Sequence, residues 1–69
     1  MKYVVIEIQT NNDNVSTIVN QYDTLPLAES AYHQVLSFAA VSNVEWHGAM
    51  LMNSQGSVYR NDMFTHLAE

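Results

Sequence analysis

Along this chain the spacing of apolar residues changes from every second position to every third or fourth and back again, and those switches predict its elements. Tyr3 to Gln9 is dense in β-branched and aromatic side chains and reads as a strand. Asn11-Asn12-Asp13-Asn14 follows, residues that tolerate positive φ, so a hairpin is expected with Val15 to Tyr22 as the return strand. A two- or four-residue loop sets Glu7 opposite Ile18 and Ile6 opposite Val19. One face then holds Val4, Ile6, Ile8, Thr17 and Val19, and the other holds Tyr3, Val5, Glu7, Ile18, Asn20 and Tyr22.

Asp23-Thr24-Leu25-Pro26 is a helix start, with Thr24 or Asp23 as the capping acceptor and Pro26 in the first turn, where its missing N–H costs nothing. The helix is expected to run to about Val41. Its apolar stripe is Leu25, Ala28, Ala31, Tyr32, Val35, Leu36 and Ala39, with Glu29, Ser30, His33, Gln34 and Ser37 on the other side. Val44 to Met52 alternates as a third strand, separating Val44, Trp46, Gly48, Met50 and Met52, which are expected to face the helix, from Glu45, His47, Ala49 and Leu51. Asn53 to Gly56 is a turn, and Ser57 to Asn61 a short fourth strand with Tyr59 on the Met50 face and Arg60 on the His47 face. Residues 62–69 are left as a tail, mobile or engaged at an interface.

The order ββαββ predicts one α+β domain over residues 1–69: a four-stranded antiparallel sheet of order 2-1-3-4, entered by a right-handed crossover. One helix covers one face. The uncovered face is expected to carry Tyr3, Val5, Ile18, Tyr22, Ala49, Leu51 and Val58, too apolar to be left wet, so a second subunit or a partner protein is expected there.

Composition strengthens that expectation. Charged residues make up 13% of the 69 positions, against roughly 25% in an ordinary soluble domain, and there is no cysteine. So small a core with no disulfide gains most readily from self-association. The net charge of −5 opposes contact with a phosphate backbone, and no apolar run approaches the ~20 residues of a membrane span, so neither nucleic acid nor membrane is an expected partner. The apolar run after Met1-Lys2-Tyr3 is too short for a signal-peptide core, which points to the cytoplasm.

The residues that carry chemistry are sparse. His33, His47 and His66 fall on the outer helix side, the sheet and the tail, so no metal site or other cofactor is expected. Glu45 and His47, two apart on one strand and about 7 Å from each other, have a spacing compatible with acid/base work. An ordinary hydrogen-bonding histidine is the simpler reading. No serine lies in a Gly-x-Ser-x-Gly elbow, Gly56 is explained by a turn, and Gly48 by close backbone or helix approach. No catalytic residue is assigned. Trp46 and Tyr59 with His47 and Arg60 form the candidate ligand-binding set, an aromatic surface with a guanidinium for phosphate or carboxylate. The plain alternatives are a core position for the aromatics and a salt bridge from Arg60 to Glu7 or Glu45.

Tyr3 to Gln9, then Tyr22-Asp23, then Ala28 to Leu36, Ala39 to Ser42 and His47-Gly48-Ala49 together resemble a group of small phage- and prophage-encoded proteins, over nearly the whole chain. The resemblance implies an accessory viral protein acting inside a bacterium, and it transfers no functional residue. Three roles follow as expectations: a stoichiometric inhibitor of a host defence protein, an oligomeric sponge for a signalling nucleotide, or a minor virion or assembly protein.

Overall fold

The computed structural model describes residues 1–67. Its elements are β1 (Tyr3–Asn11), β2 (Asn14–Tyr22), α1 (Leu25–Val41), β3 (Trp46–Asn53) and β4 (Val58–Thr65). All neighbouring strands are antiparallel and their order is β2-β1-β3-β4, so the fold is the α+β arrangement that the spacing predicts. The Cα envelope is only 15 Å deep, the thickness of one sheet and one helix.

Asn12 and Asp13 both have positive φ, at 51° and 66°, which makes the β1–β2 connection a two-residue turn matched to the strand twist. That turn sets the register, with Glu7 opposite Ile18 and Ile6 opposite Val19. Thr24 caps α1 by accepting from the Leu27 N–H, and Pro26 sits in the first turn. The predicted stripe is the one that faces the sheet: Ala28, Tyr32 and Ala39 are buried, and Leu25, Ala31, Val35 and Leu36 pack at the margin. No helix among the described residues is long and apolar enough to cross a membrane.

The helix covers the opposite face from the one expected. Val5, Ala49 and Leu51, assigned from the sequence to the uncovered surface, are the buried core beneath α1, with Tyr3 and Tyr22 half-buried at its margin. Size decides this. Ala49, small and 0% exposed, shares one buried cluster with the wholly buried Tyr32, whereas Met50, Met52 and Ile6 on the other face would hold a helix away from the sheet.

Two further expectations are corrected at β4. This strand continues to Thr65, placing Asp62 opposite Ala49 and Phe64 opposite His47, so residues 62–65 belong to the sheet and not to a tail. Polar residues in Arg60-Asn61-Asp62 are compatible with a strand here because β4 lies at the sheet edge. Residues 68 and 69 of the expected tail lie outside the described residues. A bulge between Leu51 and Met52 leaves Tyr59 without a direct partner, and its ring turns to Tyr3 (centroids 6.2 Å apart) and its hydroxyl to Asn53, away from Met50. Val58 falls opposite Met52, so it shares the face of Val4 and Ile6, not that of Leu51.

Candidate functional site

The polar residues of the helix-covered face form a chain of hydrogen bonds. His47 lies diagonally across from Glu7, and its Nε2 stands 2.6 Å from Glu7 Oε2 while its Nδ1 stands 2.8 Å from Ser42 Oγ. An ionised carboxylate only accepts, so Nε2–H donates to Glu7, and Gln9 donates to the same oxygen at 3.1 Å. Ser42 is the C-cap of α1, within 3.3 Å of the Ala39 carbonyl. The chain Ser42–His47–Glu7 therefore ties the end of the helix to two strands.

Serine, histidine and carboxylate in sequence are the ingredients of a nucleophilic triad, but the surroundings lack what acyl transfer needs. His47 is 5% exposed, and among the described residues no cavity opens beside it for a substrate. The arrangement is a buried polar network in which every member has a partner. Glu45, suggested by spacing as the acid/base partner of His47, is engaged elsewhere: its carboxylate accepts from the Asn12 N–H at 2.8 Å, and its own N–H donates to Asn11 Oδ1 at 3.0 Å. Together these bonds pin the β1–β2 turn to the approach of β3.

His66 follows β4 and donates from Nε2 to the Ala39 carbonyl at 2.8 Å. His47 and His66 thus converge on the last turn of α1, while His33 lies exposed on the helix. This convergence had no local signal in the sequence, because it depends on β4 continuing past Asn61.

The set Trp46, His47, Tyr59 and Arg60 is not assembled into one site. Trp46 and His47 are consecutive on β3 and point to opposite faces. Arg60 lies opposite Leu51, four positions further along β3 and so about 13 Å away, with Tyr59 beyond it. Arg60 enters no ion pair among the described residues. Lys2 pairs with Asp23 and holds the Asp23 carboxyl below its ordinary value by hydrogen bonding and then by charge.

What the fold leaves open is a surface. The face away from α1 carries Val4, Ile6, Ile8 and Thr10 from β1, Val15, Thr17, Val19 and Gln21 from β2, Trp46, Gly48, Met50 and Met52 from β3, and Val58, Asn61, Met63 and Thr65 from β4. No charged residue is among them. Val15 and Val19 are 65% and 56% exposed, and Ile6, Ile8 and Met50 are half-buried by their neighbours alone. Four strands at about 4.8 Å spacing and eight residues at about 3.3 Å per residue give a footprint of roughly 500 Å². That uncharged footprint, with Thr10, Thr17, Gln21, Asn61 and Thr65 among its apolar residues, is more than half of the about 800 Å² each partner contributes to a standard interface. Of the residues assigned in advance to an exposed surface, Ile18 and Val58 are exposed, on opposite sides of the sheet. No family model, curated protein or solved structure matches this chain.

Proposed function

We propose that this protein acts by binding and not by catalysis, and that its working surface is the open face of the sheet. The observation that carries this reading is the absence of charge from the whole of that face in a chain of net charge −5. Desolvating such a surface costs little, so an apolar patch on another protein gains most of the transfer free energy at about 25 cal/mol per Å². Flat β-branched side chains supply shape, and Met50, Met52 and Met63 supply a surface that adapts to its partner.

In the setting that the sequence resemblance implies, the protein is a stoichiometric inhibitor of a bacterial host protein, acting in the cytoplasm. Nucleotide sequestration has less support, since the residues that would have formed its pocket are dispersed over two faces and both ends of β3.

The reading is tested by recovering the tagged protein from a bacterial host. One host protein in fixed molar ratio is expected, lost in both Ile6→Asp and Met50→Asp variants that keep the wild-type circular dichroism. Binding that survives both substitutions, or no protein in fixed ratio, overturns it.

A further inference from the structure

The sheet has two free edges among the described residues, and they are built differently. β4 carries Arg60 and Asp62 and is interrupted by the bulge, features that discourage the addition of another strand. β2 has none of these. Its nine residues, Asn14–Tyr22, contain no charge and no proline, pair with β1 without a register shift, and are exposed up to the half-buried Tyr22.

The turn at Asn12-Asp13 also determines which of its backbone groups are free. In a two-residue hairpin the residues flanking the loop, Asn11 and Asn14, form a hydrogen-bonded pair, and the antiparallel ladder alternates from there. The N–H and C=O groups of Val15, Thr17, Val19 and Gln21 therefore point outward.

We propose that this edge pairs with the same edge of a second copy of the chain, antiparallel about a twofold axis at Ile18, so that two four-stranded sheets become one. Ile18 is the midpoint of Asn14–Tyr22, so this register gives the fullest overlap. It sets Thr17 against the partner's Val19 and Val15 against the partner's Gln21, and all of these are residues with outward-pointing backbone groups. The Thr17 and Val19 pairs are β-branched on both sides, a favourable cross-strand combination.

Self-complementarity selects a second copy as the occupant, since the register about Ile18 brings the outward-pointing groups of Thr17 and Val19 against each other across the axis. Two chains of net charge −5 repel over most of their surfaces, yet nothing charged lies within this overlap. At each end Asp13 approaches the partner's Asp23, a carboxylate whose charge is already paired with Lys2 of its own chain. Ile18, half exposed on the helix side, is covered by its own symmetry mate. The twofold axis stands perpendicular to the sheet, which puts both helices on one side and both open faces side by side on the other. This inference uses the edge and not the face, so it stands or falls separately from the proposed function.

The chain has no cysteine, which makes a cross-linking test clean. At the axis Ile18 is a non-hydrogen-bonded pair with Cα atoms about 4.5 Å apart, within disulfide reach. Ile18→Cys is expected to give a covalent dimer on mild oxidation, and Arg60→Cys on the other edge to give no covalent dimer. Sedimentation of the full chain is expected to show a dimer at micromolar concentration, converted to monomer by Ile18→Lys, which sets like charges together at an exposed site and leaves the monomer fold intact. A monomeric wild type overturns the proposal. So does a dimer that tolerates Ile18→Lys but is lost in Ile6→Asp, because the copies then meet through their open faces.

Discussion

The hydroxyl of Tyr32 donates to the carboxylate of Asp62, joining the centre of α1 to the edge strand β4. Tyr32 is wholly buried while Asp62 keeps contact with solvent, so the bond satisfies the one polar atom that the helix carries into the core. Tyr32→Phe is expected to cost about 1 kcal/mol, since Asp62 regains water, whereas Tyr32→Ala opens a cavity and costs roughly 3–5 kcal/mol. Urea denaturation of the two variants measures the difference.

The same contact produces an alkaline dependence. Burial, and then the Asp62 carboxylate, push the Tyr32 phenol well above its ordinary value of 10.0. In the unfolded chain this group ionises near its ordinary value, so its contribution is complete below that pH and declines as pH rises further. Stability is expected to fall above about pH 10, with a slope reduced in Tyr32→Phe. Thermal melts between pH 8 and 11 check this, and equal slopes in the two proteins contradict it.

Removing His47 weakens two partners. His47→Ala takes one bond from each of Glu7 and Ser42, which keep those to Gln9 and the Ala39 carbonyl, and is expected to destabilise by about 2 kcal/mol. Ser42→Ala removes the half-buried hydroxyl that meets both the Ala39 carbonyl and His47 Nδ1 and costs about 1–2 kcal/mol. Because the network is structural, Ser42→Ala retains the full biological effect, and loss of that effect in a stably folded variant would restore the nucleophile reading.

The two glycines fail for different reasons. A Cβ on Gly48 collides with the Asp62 carbonyl oxygen and stands 2.7 Å from the Met63 Cα, so Gly48→Ala forces β3 and β4 apart. Gly56 has open space around it but a φ of 90°, and Gly56→Ala costs about 1 kcal/mol of backbone strain. Gly48→Ala is expected to lower the melting temperature several times more, at about 2–3 kcal/mol or above.

Trp46 reports on the open face directly, since it is the one tryptophan and is 41% exposed there. Its emission is expected to shift to shorter wavelength when a protein covers that face and to stay unchanged when β2 edges join. Titration with an identified partner distinguishes the two events.

Strand order, the Glu7–Ile18 register and the Thr24 cap were legible in the sequence because each follows from local spacing and turn chemistry. The face taken by the helix was not. Counting apolar positions favours the side of Val4, Ile6 and Met50, whereas the outcome rests on the shared burial of Tyr32 and Ala49 in one cluster and on Glu7, His47 and Ser42 satisfying one another. Those relations join residues far apart in the chain and leave no periodic trace. The end of β4 was hidden likewise, because Asp62 looks like a strand breaker until Tyr32 is seen to require it. The bulge that redirects Tyr59 shifts the alternation by one residue at that position, a change with no signal in the local spacing.

Because the contacts of α1 lie entirely on one side, side chains such as Val19, Met50 and Met63 hold no helix in place. If that face is the binding surface proposed above, replacing them by other uncharged residues of similar shape changes the partner selected at little cost to the fold, so specificity is free to drift under selection without a toll on integrity.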